Sequence, residues 1–390
     1  MKLERFIMQI GIVITIFLIL LHSDPAICNN KFSTAPTTKP DGKPFKLGYL
    51  EGGPYKPYKQ HLVAIITQLQ DMGWIDKNLK IPRTSDDDTQ TLWMWLAENV
   101  KGPYLVFDPT AYWTDKWNTK LRKDNKRKVL ERLKKGDIDL IVAMGTWAGQ
   151  DLANNEHHVP VVVCSTSDAV AAGIVKGVDD SGYDHVIAHL DPTRYERQVR
   201  LFHEIIGFHK LGVAYENSVA GRSYAALDDI KKAAKEKKFE IVSCYTLSDI
   251  PDTSEAEKSV VDCAEKLAPQ IDAFYVTVQQ GVTLKNLSNI LKPLYEHKVP
   301  TFSMRGSEEV RYGVLLSIAS AGYKYVGRFL AETIAKILNG AKPRDLPQVF
   351  EAPPKIAINL EAAQIIGWDP PVDVLAAADE IYQKIEKVDK

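Results

Sequence analysis

The amino-acid sequence predicts an α/β protein made of two doubly wound, parallel-sheet lobes. From residue 45 onward, short apolar runs alternate with amphipathic stretches of helical length, which is typical of parallel β-α-β units. Runs such as Ile138–Met144 are almost continuously apolar, as in strands that helices cover on both faces. The alternation restarts after residue 185, which indicates a second lobe.

Strands and helices can be assigned in chain order from this alternation. In the first series, we expect strands at Phe45–Leu50, Tyr104–Phe107, Ile138–Met144 and Val159–Cys164, and helices at Tyr58–Met72, Asp88–Asn99, Asn118–Lys135 and Ala148–Asn154. In the second, we expect strands at Val186–Leu190, Leu211–Tyr215, Phe239–Tyr245, Ala273–Val278 and Val299–Ser303, and helices at Arg194–Ile206, Tyr224–Lys237, Glu255–Leu267 and Leu284–His297. A strand at Val314–Ala319, a helix at Tyr323–Leu338, a strand at Ile356–Asn359 and a helix at Ala376–Ile385 complete the prediction.

The first 28 residues have the order of a secretory signal peptide. Lys2 and Arg5 precede an apolar run, and Ala26 and Cys28 suit a cleavage site. A retained membrane anchor is the alternative, although the run is shorter than the roughly 20 apolar residues that a spanning helix needs. A lipid anchor at Cys28 is a further alternative. We expect export to the periplasm or the extracellular face, with residues 29–44 as a flexible linker because they are rich in Thr, Pro, Lys and Asn.

Composition and motifs exclude several classes of function. Lys and Arg total 49 against 50 Asp and Glu, so no broad positive field exists to hold nucleic acid. The sequence contains neither a Gly-x-x-x-x-Gly-Lys-Ser/Thr loop nor a Gly-x-Ser-x-Gly elbow, and His203 and His209 are spaced too widely for two zinc ligands on one helix face. We therefore expect no enzymatic activity, no cofactor and no metal.

Three cysteines follow the predicted signal peptide. Free buried thiols are the simplest interpretation of Cys164, Cys244 and Cys263. A bridge between Cys244 and Cys263 stays open, because it depends on a distance that the sequence does not give.

Candidate ligand contacts lie directly after the predicted strands, where ligands bind in open α/β sheets. Thr146 is expected to cap a helix whose first-turn N–H groups can receive an anion, and Asp168 suits an ammonium group. Aromatic residues recur at the same strand ends and are typical of a small-molecule cleft. The predicted ligand-binding residues are Tyr55, Thr146, Trp147, Ser167, Asp168, Tyr215, Asn217, Gln279 and Arg305.

The order of several segments resembles the tryptophan/tyrosine-type branch of ABC-transporter periplasmic substrate-binding proteins. These segments are Val142–Thr146, Val159–Val162, Ser167–Asp168, Ala172–Val175, Val299–Phe302, Gly313–Leu315, Ile337–Gly340 and Ile358–Leu360, with Tyr323, Gly327, Ala363 and Gly367. The resemblance covers about residues 45–370. It implies a type I periplasmic-binding fold, in which two lobes joined by three crossings of the chain close on a ligand like a hinge.

The resemblance also implies domain boundaries and a ligand class. Lobe 1 would comprise residues 45–165 plus 305–345, and lobe 2 residues 166–304 plus 346–390, with crossings near 166–184, 305–312 and 348–355. Some members of the family bind aromatic amino acids. The tryptophans Trp93, Trp95, Trp113 and Trp117 would either fill the pocket beside a smaller ligand or stack on a larger flat one.

From these expectations, our main hypothesis is that the chain is a ligand-binding protein. The chain would be a monomeric, exported solute-binding component of an ABC importer that captures an amino acid or a related metabolite and delivers it to a membrane permease. One alternative is a periplasmic sensing module that reports to a membrane signalling partner. Another is an extracytoplasmic enzyme on the same fold.

Overall fold

Two β-sheets organise the computed structural model, which describes residues 32–85, 88–320, 323–351 and 354–388. From Thr34 onward, the described residues form one compact unit. The predicted signal peptide lies outside them and stays a prediction. Within the described ranges, no helix combines the length and the apolar character needed to cross a membrane.

The first sheet is entirely parallel and has the strand order β2-β1-β3-β4-β5. Its strands are β1 (Phe45–Glu51), β2 (Leu105–Thr114), β3 (Leu140–Met144), β4 (Val161–Cys164) and β5 (Val186–Ala188). The helices of this part of the chain are α1 (Lys56–Asp71), α2 (Thr89–Asn99), α3 (Thr119–Lys135) and α4 (Thr146–Leu152). All five residues of β3 are buried, as expected for a central strand that is covered on both faces.

The second sheet has the order β12-β11-β10-β9-β8-β6-β7. Its strands are β6 (Lys210–Tyr215), β7 (Glu240–Tyr245), β8 (Ala273–Val276), β9 (Thr301–Ser303), β10 (Leu316–Ser320), β11 (Pro354–Asn359) and β12 (Glu380–Tyr382). The helices are α5 (Arg194–Ile206), α6 (Val219–Tyr224), α7 (Leu227–Lys237), α8 (Thr253–Leu267), α9 (Leu284–Glu296), α10 (Ser307–Arg311), α11 (Tyr323–Leu338), α12 (Leu360–Ile366) and α13 (Val372–Ala377), with 3₁₀ turns at Ala268–Gln270 and Pro343–Asp345. Strands β10 and β11 are antiparallel, and the other pairs are parallel.

Helix ends follow from local capping chemistry. The Asn118 side chain accepts hydrogen bonds from two first-turn N–H groups of α3, and Gly136 ends that helix in the left-handed conformation. Asp252 and Thr283 cap α8 and α9 in the same way. Helix α11 leaves the second sheet and packs on α1, where Gly327 lies against Ala64. The predicted α/β fold of two lobes with parallel sheets is confirmed.

Two predicted strands belong to a different sheet from the one that we expected. The strand after residue 185 pairs with β4 in the first sheet, and the strand at 314–319 pairs with β9 in the second. The first crossing therefore falls after β5 and not at 166–184. There Leu190 forms a parallel bridge with Val349, so two of the crossings run side by side. Apolar periodicity identifies a strand but not its partner, which explains both errors.

Other elements also differ from their predicted form. The helix expected at Tyr224–Lys237 is divided into α6 and α7 at Ala226, whose φ is 49°. The helix expected at Ala376–Ile385 is replaced by the end of α13 and by strand β12. The predicted linker contacts the first lobe, because Trp74 donates a 2.9 Å hydrogen bond to Thr34 O and Lys39 pairs with Asp139 at 3.0 Å.

A disulfide joins Cys244 on β7 to Cys263 on α8, with a Cα–Cα distance of 5.7 Å. The interpretation of both as free thiols was therefore wrong, whereas Cys164 is free and buried. The bridge ties the carboxyl end of β7 to the helix that follows it. It thereby fixes both ends of the loop at residues 246–252.

We expect Cys244→Ser/Cys263→Ser to lower the free energy of unfolding by about 2 to 4 kcal/mol, because the cross-link restricts the unfolded chain. The two cysteines are 19 residues apart in sequence. Guanidinium denaturation measures the change. Dithiothreitol should destabilise the wild type and leave the double variant unaffected. Equal midpoints for the reduced wild type, the oxidised wild type and the variant would contradict a stabilising bridge.

Candidate functional site

The carboxyl ends of strands from both sheets face one cleft between the lobes. Loops after β1, β2, β3 and β4 meet loops after β6, β7 and β8 there. We call the space between them the aromatic pocket. It is lined by Tyr55, Tyr58, Trp117, Thr146, Ser165, Ser167, Tyr224, Ser248, Asp249, Val278, Gln279 and Gln280. This is the edge where open α/β sheets bind ligands.

The aromatic wall of the pocket comes from the first lobe. The Tyr55 and Tyr58 rings meet edge to face at 5.1 Å, and Trp117 lies 6.3 Å from Tyr58. Trp117 has a φ of 54° and donates its indole N–H to Pro54 O at 3.2 Å. Glycines fit beneath it, since a Cβ on Gly53 would lie 2.6 Å from the indole nitrogen. Gly52 and Gly53 therefore have to lack side chains for Trp117 to occupy this position.

Asp249 supplies the carboxylate of the pocket. Its Oδ2 accepts hydrogen bonds from Trp147 Nε1 at 2.9 Å and from Tyr224 Oη at 3.1 Å. Burial, and after it the charge of Glu216, raises the pKa of Asp249 to about 7. Glu216 also orients this loop, because its Oε2 accepts from the backbone N–H groups of Ser248 and Asp249, both at 2.8 Å.

Contacts between the lobes hold the cleft narrow. Trp147 in the first lobe reaches Asp249 in the second, and Arg305 donates to Tyr55 Oη at 3.1 Å. Lys56 pairs with Glu308 at 2.7 Å on the same side. The space left in the aromatic pocket is about 30 Å³, enough for little more than a water molecule. The structure is thus a closed arrangement of the two lobes.

Four of the predicted ligand contacts line this pocket. They are Tyr55, Thr146, Ser167 and Gln279. Thr146 is buried but is not the N-cap, because Gly145 holds that position and no side chain caps α4. The Gln279 amide is already used, since its nitrogen donates to Ala214 O and its oxygen accepts from Thr246. Trp147 acts through its hydrogen bond to Asp249.

The other predicted contacts lie elsewhere. Asp168 accepts from the N–H groups of Val170 and Ala171 at 3.0 and 2.9 Å and so caps a turn. Tyr215 is packed in the core of the second lobe, and Asn217 is exposed. Arg305 borders a neighbouring cavity. The structure therefore places Asp168, Tyr215 and Asn217 outside the aromatic pocket.

Sequence reasoning missed the loop after β7. That loop carries Ser248 and Asp249, and the rule that ligands bind at strand ends applies to it as well. Tyr58 and Tyr224 were also missed, since both lie in helices whose relation to the cleft depends on the fold.

A model of the family "ABC transporter substrate binding protein" matches residues 113–382. The chain belongs to this family. A tyrosine-binding protein from Clostridioides difficile (strain R20291) is 25% identical over 224 residues, which are 57% of this chain and 61% of that protein. The match thus spans about three fifths of the length of this curated relative.

Solved structures show that this ABC transporter substrate-binding protein has the type I periplasmic-binding fold. An ABC domain from Streptococcus pneumonia in complex with L-Trp superimposes with a TM-score of 0.63 at 21% identity, covering 87% of this chain and 100% of that one. The ligand-free, open structure of a substrate-binding protein with adhesive properties from Clostridium difficile gives a TM-score of 0.56 at 20% identity, with the same coverage.

Among the described residues of this substrate-binding protein, no group of three or more His, Cys, Asp or Glu side chains is arranged to hold a metal ion.

We expect Gly145→Ala to disturb the pocket more than an ordinary glycine replacement. A Cβ on Gly145 would lie 1.9 Å from Tyr58 Oη, and the residue has a φ of 87°. Gly136, with a φ of 67°, has no atom within 4 Å of the place that a Cβ would occupy and serves as the matched control. Gly136→Ala should cost about 1 to 2 kcal/mol of stability from backbone strain alone.

Gly145→Ala should cost about 1 to 3 kcal/mol more than this control, because Tyr58 has to move and because the ψ of Gly145, 176°, lies outside the left-handed helical region that Gly136 occupies. Urea denaturation measures both values, and near-ultraviolet circular dichroism reports the displaced ring. Equal losses in the two variants would show that Gly145 and Tyr58 are not packed as described.

Proposed function

We propose that this substrate-binding protein is the extracytoplasmic component of an ABC importer and that it captures an amino acid of the aromatic type between its lobes. A membrane permease would receive the ligand. The observation that carries the proposal is the partly buried Asp249 carboxylate, which lies at the meeting point of the lobes beside aromatic rings. An ammonium group and an aromatic ring are the chemical groups that such a site complements.

The ammonium group of the ligand would bind Asp249. In the described structure, the hydrogen bonds to this carboxylate go to Oδ2, from Trp147 and Tyr224. Both donors are neutral, so neither offsets the negative charge. A ligand cation would offset it in a partly desolvated site, where charge-assisted hydrogen bonds are strong. Asp249 thus replaces Asp168 in the role that the sequence suggested.

The carboxylate of the ligand would bind hydroxyl groups of the first lobe. Thr146, Ser165 and Ser167 line the pocket opposite the loop that carries Asp249. Their hydroxyls can donate to a carboxylate. The two charged ends of an amino acid would then contact different lobes, so binding would favour closure of the lobes on the ligand. The ligand-bound arrangement would be wider than the described one, whose aromatic pocket has only about 30 Å³ of space.

Opening about the three crossings would admit the ligand. Polar contacts close the cleft, among them Trp147 with Asp249, Tyr55 with Arg305, Lys56 with Glu308, and the Ser223 hydroxyl with the carbonyl of Asp168. A ligand that replaces some of these contacts by stronger ones shifts the population toward closure. The ligands named for two relatives, tyrosine and L-Trp, guide the choice of an aromatic side chain.

Calorimetry of the mature protein with L-tyrosine, L-tryptophan and L-phenylalanine tests the proposal. We expect Asp249→Asn to weaken binding of the best ligand at least about thirtyfold, corresponding to about 2 kcal/mol, because the charge that meets the ammonium group is lost. Asp252→Asn is the matched control, since Asp252 is an exposed N-cap in the same loop and Asn caps equally well.

Two results would contradict the assignment. Absence of binding to every amino acid would remove the ligand class. Loss of binding in Asp168→Asn, with Asp249→Asn unaffected, would return the ammonium group to the residue that the sequence suggested.

The affinity should depend on pH because the pKa of Asp249 is raised to about 7. Below that value the carboxyl group becomes protonated and loses its attraction for the ammonium group. The dissociation constant should therefore increase roughly tenfold between pH 8 and pH 6. Calorimetry at both values measures this change. The residual binding of Asp249→Asn should be independent of pH, and an equal slope in wild type and variant would assign the titration to another group.

A further inference from the structure

A second cavity adjoins the aromatic pocket on the side of the chain crossings. Tyr55, Ser165, Ser167 and Val278 line both spaces, so the two cavities are neighbours. The second cavity is much larger, about 500 Å³ against about 30 Å³. We call it the arginine chamber. The residues used below are His61, Thr166, His189, Arg194 and Arg305, all of which line it.

Most charged side chains of the arginine chamber are already paired. Lys355 binds Glu380, Arg311 binds Glu386 at 2.6 Å, and Glu308 binds Lys56 at 2.7 Å. Asp191 lies 3.5 Å from Arg197. Of the two arginines that remain, Arg305 lies beside the buried Glu309 and Arg194 forms no ion pair among the described residues.

Arg194 has no such partner. Its side chain forms no hydrogen bond and no ion pair with any residue in the described ranges, and its Nε is buried without a partner. The guanidinium lies 5.1 Å from the centre of the Tyr195 ring. Asp191 acts on Arg194 electrostatically but forms neither a hydrogen bond nor an ion pair with it. A partly buried cation with so few direct partners is costly unless an anion joins it.

Arg305 is only partly satisfied. It donates from Nη2 to Tyr55 Oη and to Val282 O, and its Nε faces the buried carboxylate of Glu309 in an ion pair of 3.5 Å that is not a hydrogen bond. The hydroxyl of Thr166 is a further buried group without a hydrogen-bond partner among the described residues. Two residues that line the cavity, Arg194 and Thr166, therefore have polar groups without a partner, and Arg305 adds a second guanidinium.

The histidines of the chamber agree with a positive environment. Burial lowers the pKa of His61 and of His189 to about 4, and the nearby charge of Arg194 acts in the same direction. Both rings are therefore neutral at physiological pH. They neither neutralise the charge of an anion nor compete with the arginines for it.

We propose that the arginine chamber is a subsite for an acidic group, a carboxylate or a phosphate, carried by the same molecule that occupies the aromatic pocket. Arg194 and Arg305 would donate to its oxygens, with Thr166 beside them. The inference rests on the proposed function for the first half of the ligand. It extends the ligand class to compounds in which an aromatic amino acid carries a further acidic group. Examples are a dipeptide with an acidic second residue and an aromatic amino acid with a phosphorylated side chain.

Matched pairs of ligands test the subsite by calorimetry. One pair is L-tyrosyl-L-glutamate and L-tyrosyl-L-glutamine, and the other is O-phospho-L-tyrosine and O-methyl-L-tyrosine. We expect the acidic member of at least one pair to bind about tenfold or more tightly than its neutral partner, as a charge-assisted hydrogen bond provides. The pair that shows the difference tells whether the acidic group is a carboxylate or a phosphate.

Variants assign the effect to the chamber. Arg194→Gln and Arg305→Gln should abolish the preference for the acidic ligand, while Arg200→Gln should keep it. Arg200 is on the same helix and pairs with Glu196 and Glu236 outside the chamber. Arg194→Gln is the more informative variant, because Arg305→Gln also removes the contact to Tyr55.

The outcomes separate this inference from the proposed function. Binding of free amino acids that depends on Asp249, with no gain from the acidic group, would overturn the subsite alone. A preference that survives Arg194→Gln would overturn it as well. Acidic ligands whose binding needs Arg194 but not Asp249 would support the subsite and contradict the proposed function. Inorganic phosphate should compete with the acidic ligands and not with L-tyrosine. Equal competition against both would overturn the subsite.

Discussion

The partly buried carboxylate of Asp249 is the interaction on which the cleft depends. It accepts a hydrogen bond from Trp147 of the first lobe and another from Tyr224 of the second, so one side chain joins both halves. A carboxylate in this environment is costly unless its charge is met, and its raised pKa expresses that cost. On the proposed assignment, a cationic ligand would meet this charge and so reduce the cost. Binding and closure would then be coupled through one carboxylate.

The supporting structure holds this carboxylate in position. The disulfide between Cys244 and Cys263 fixes the strand before the loop and the helix after it. Glu216 receives the two backbone N–H groups at the centre of the loop. Across the cleft, Arg122 stacks over the Trp147 ring at 4.6 Å and pairs with Asp151, which holds the indole toward Asp249. These contacts lie outside the pocket, yet they position the two side chains, Trp147 and Asp249, that meet across the cleft.

The sequence predicted the fold well and the site only in part, for one physical reason. Apolar periodicity and capping residues act locally, so β3 and the helix begun by Asn118 could be placed from the sequence. Sheet membership depends on distant pairing, and the strands at 186–188 and 316–320 were assigned to the wrong lobes. The same limit applies to side chains. Thr146 was located by the strand before it, whereas nothing local distinguishes Asp168, which caps a turn, from Asp249.

On the assignments proposed above, charge would give the cleft its selectivity. Formal charges over the chain sum to −1, so net charge supplies no strong overall attraction for a ligand of either sign. Discrimination would instead arise at contact distance, from Asp249 in the aromatic pocket and from Arg194 with Arg305 in the arginine chamber. A ligand of the reverse polarity would bring like charges together in a partly desolvated space, where their repulsion is strong. The cleft would therefore select the orientation of its ligand as well as its chemical class.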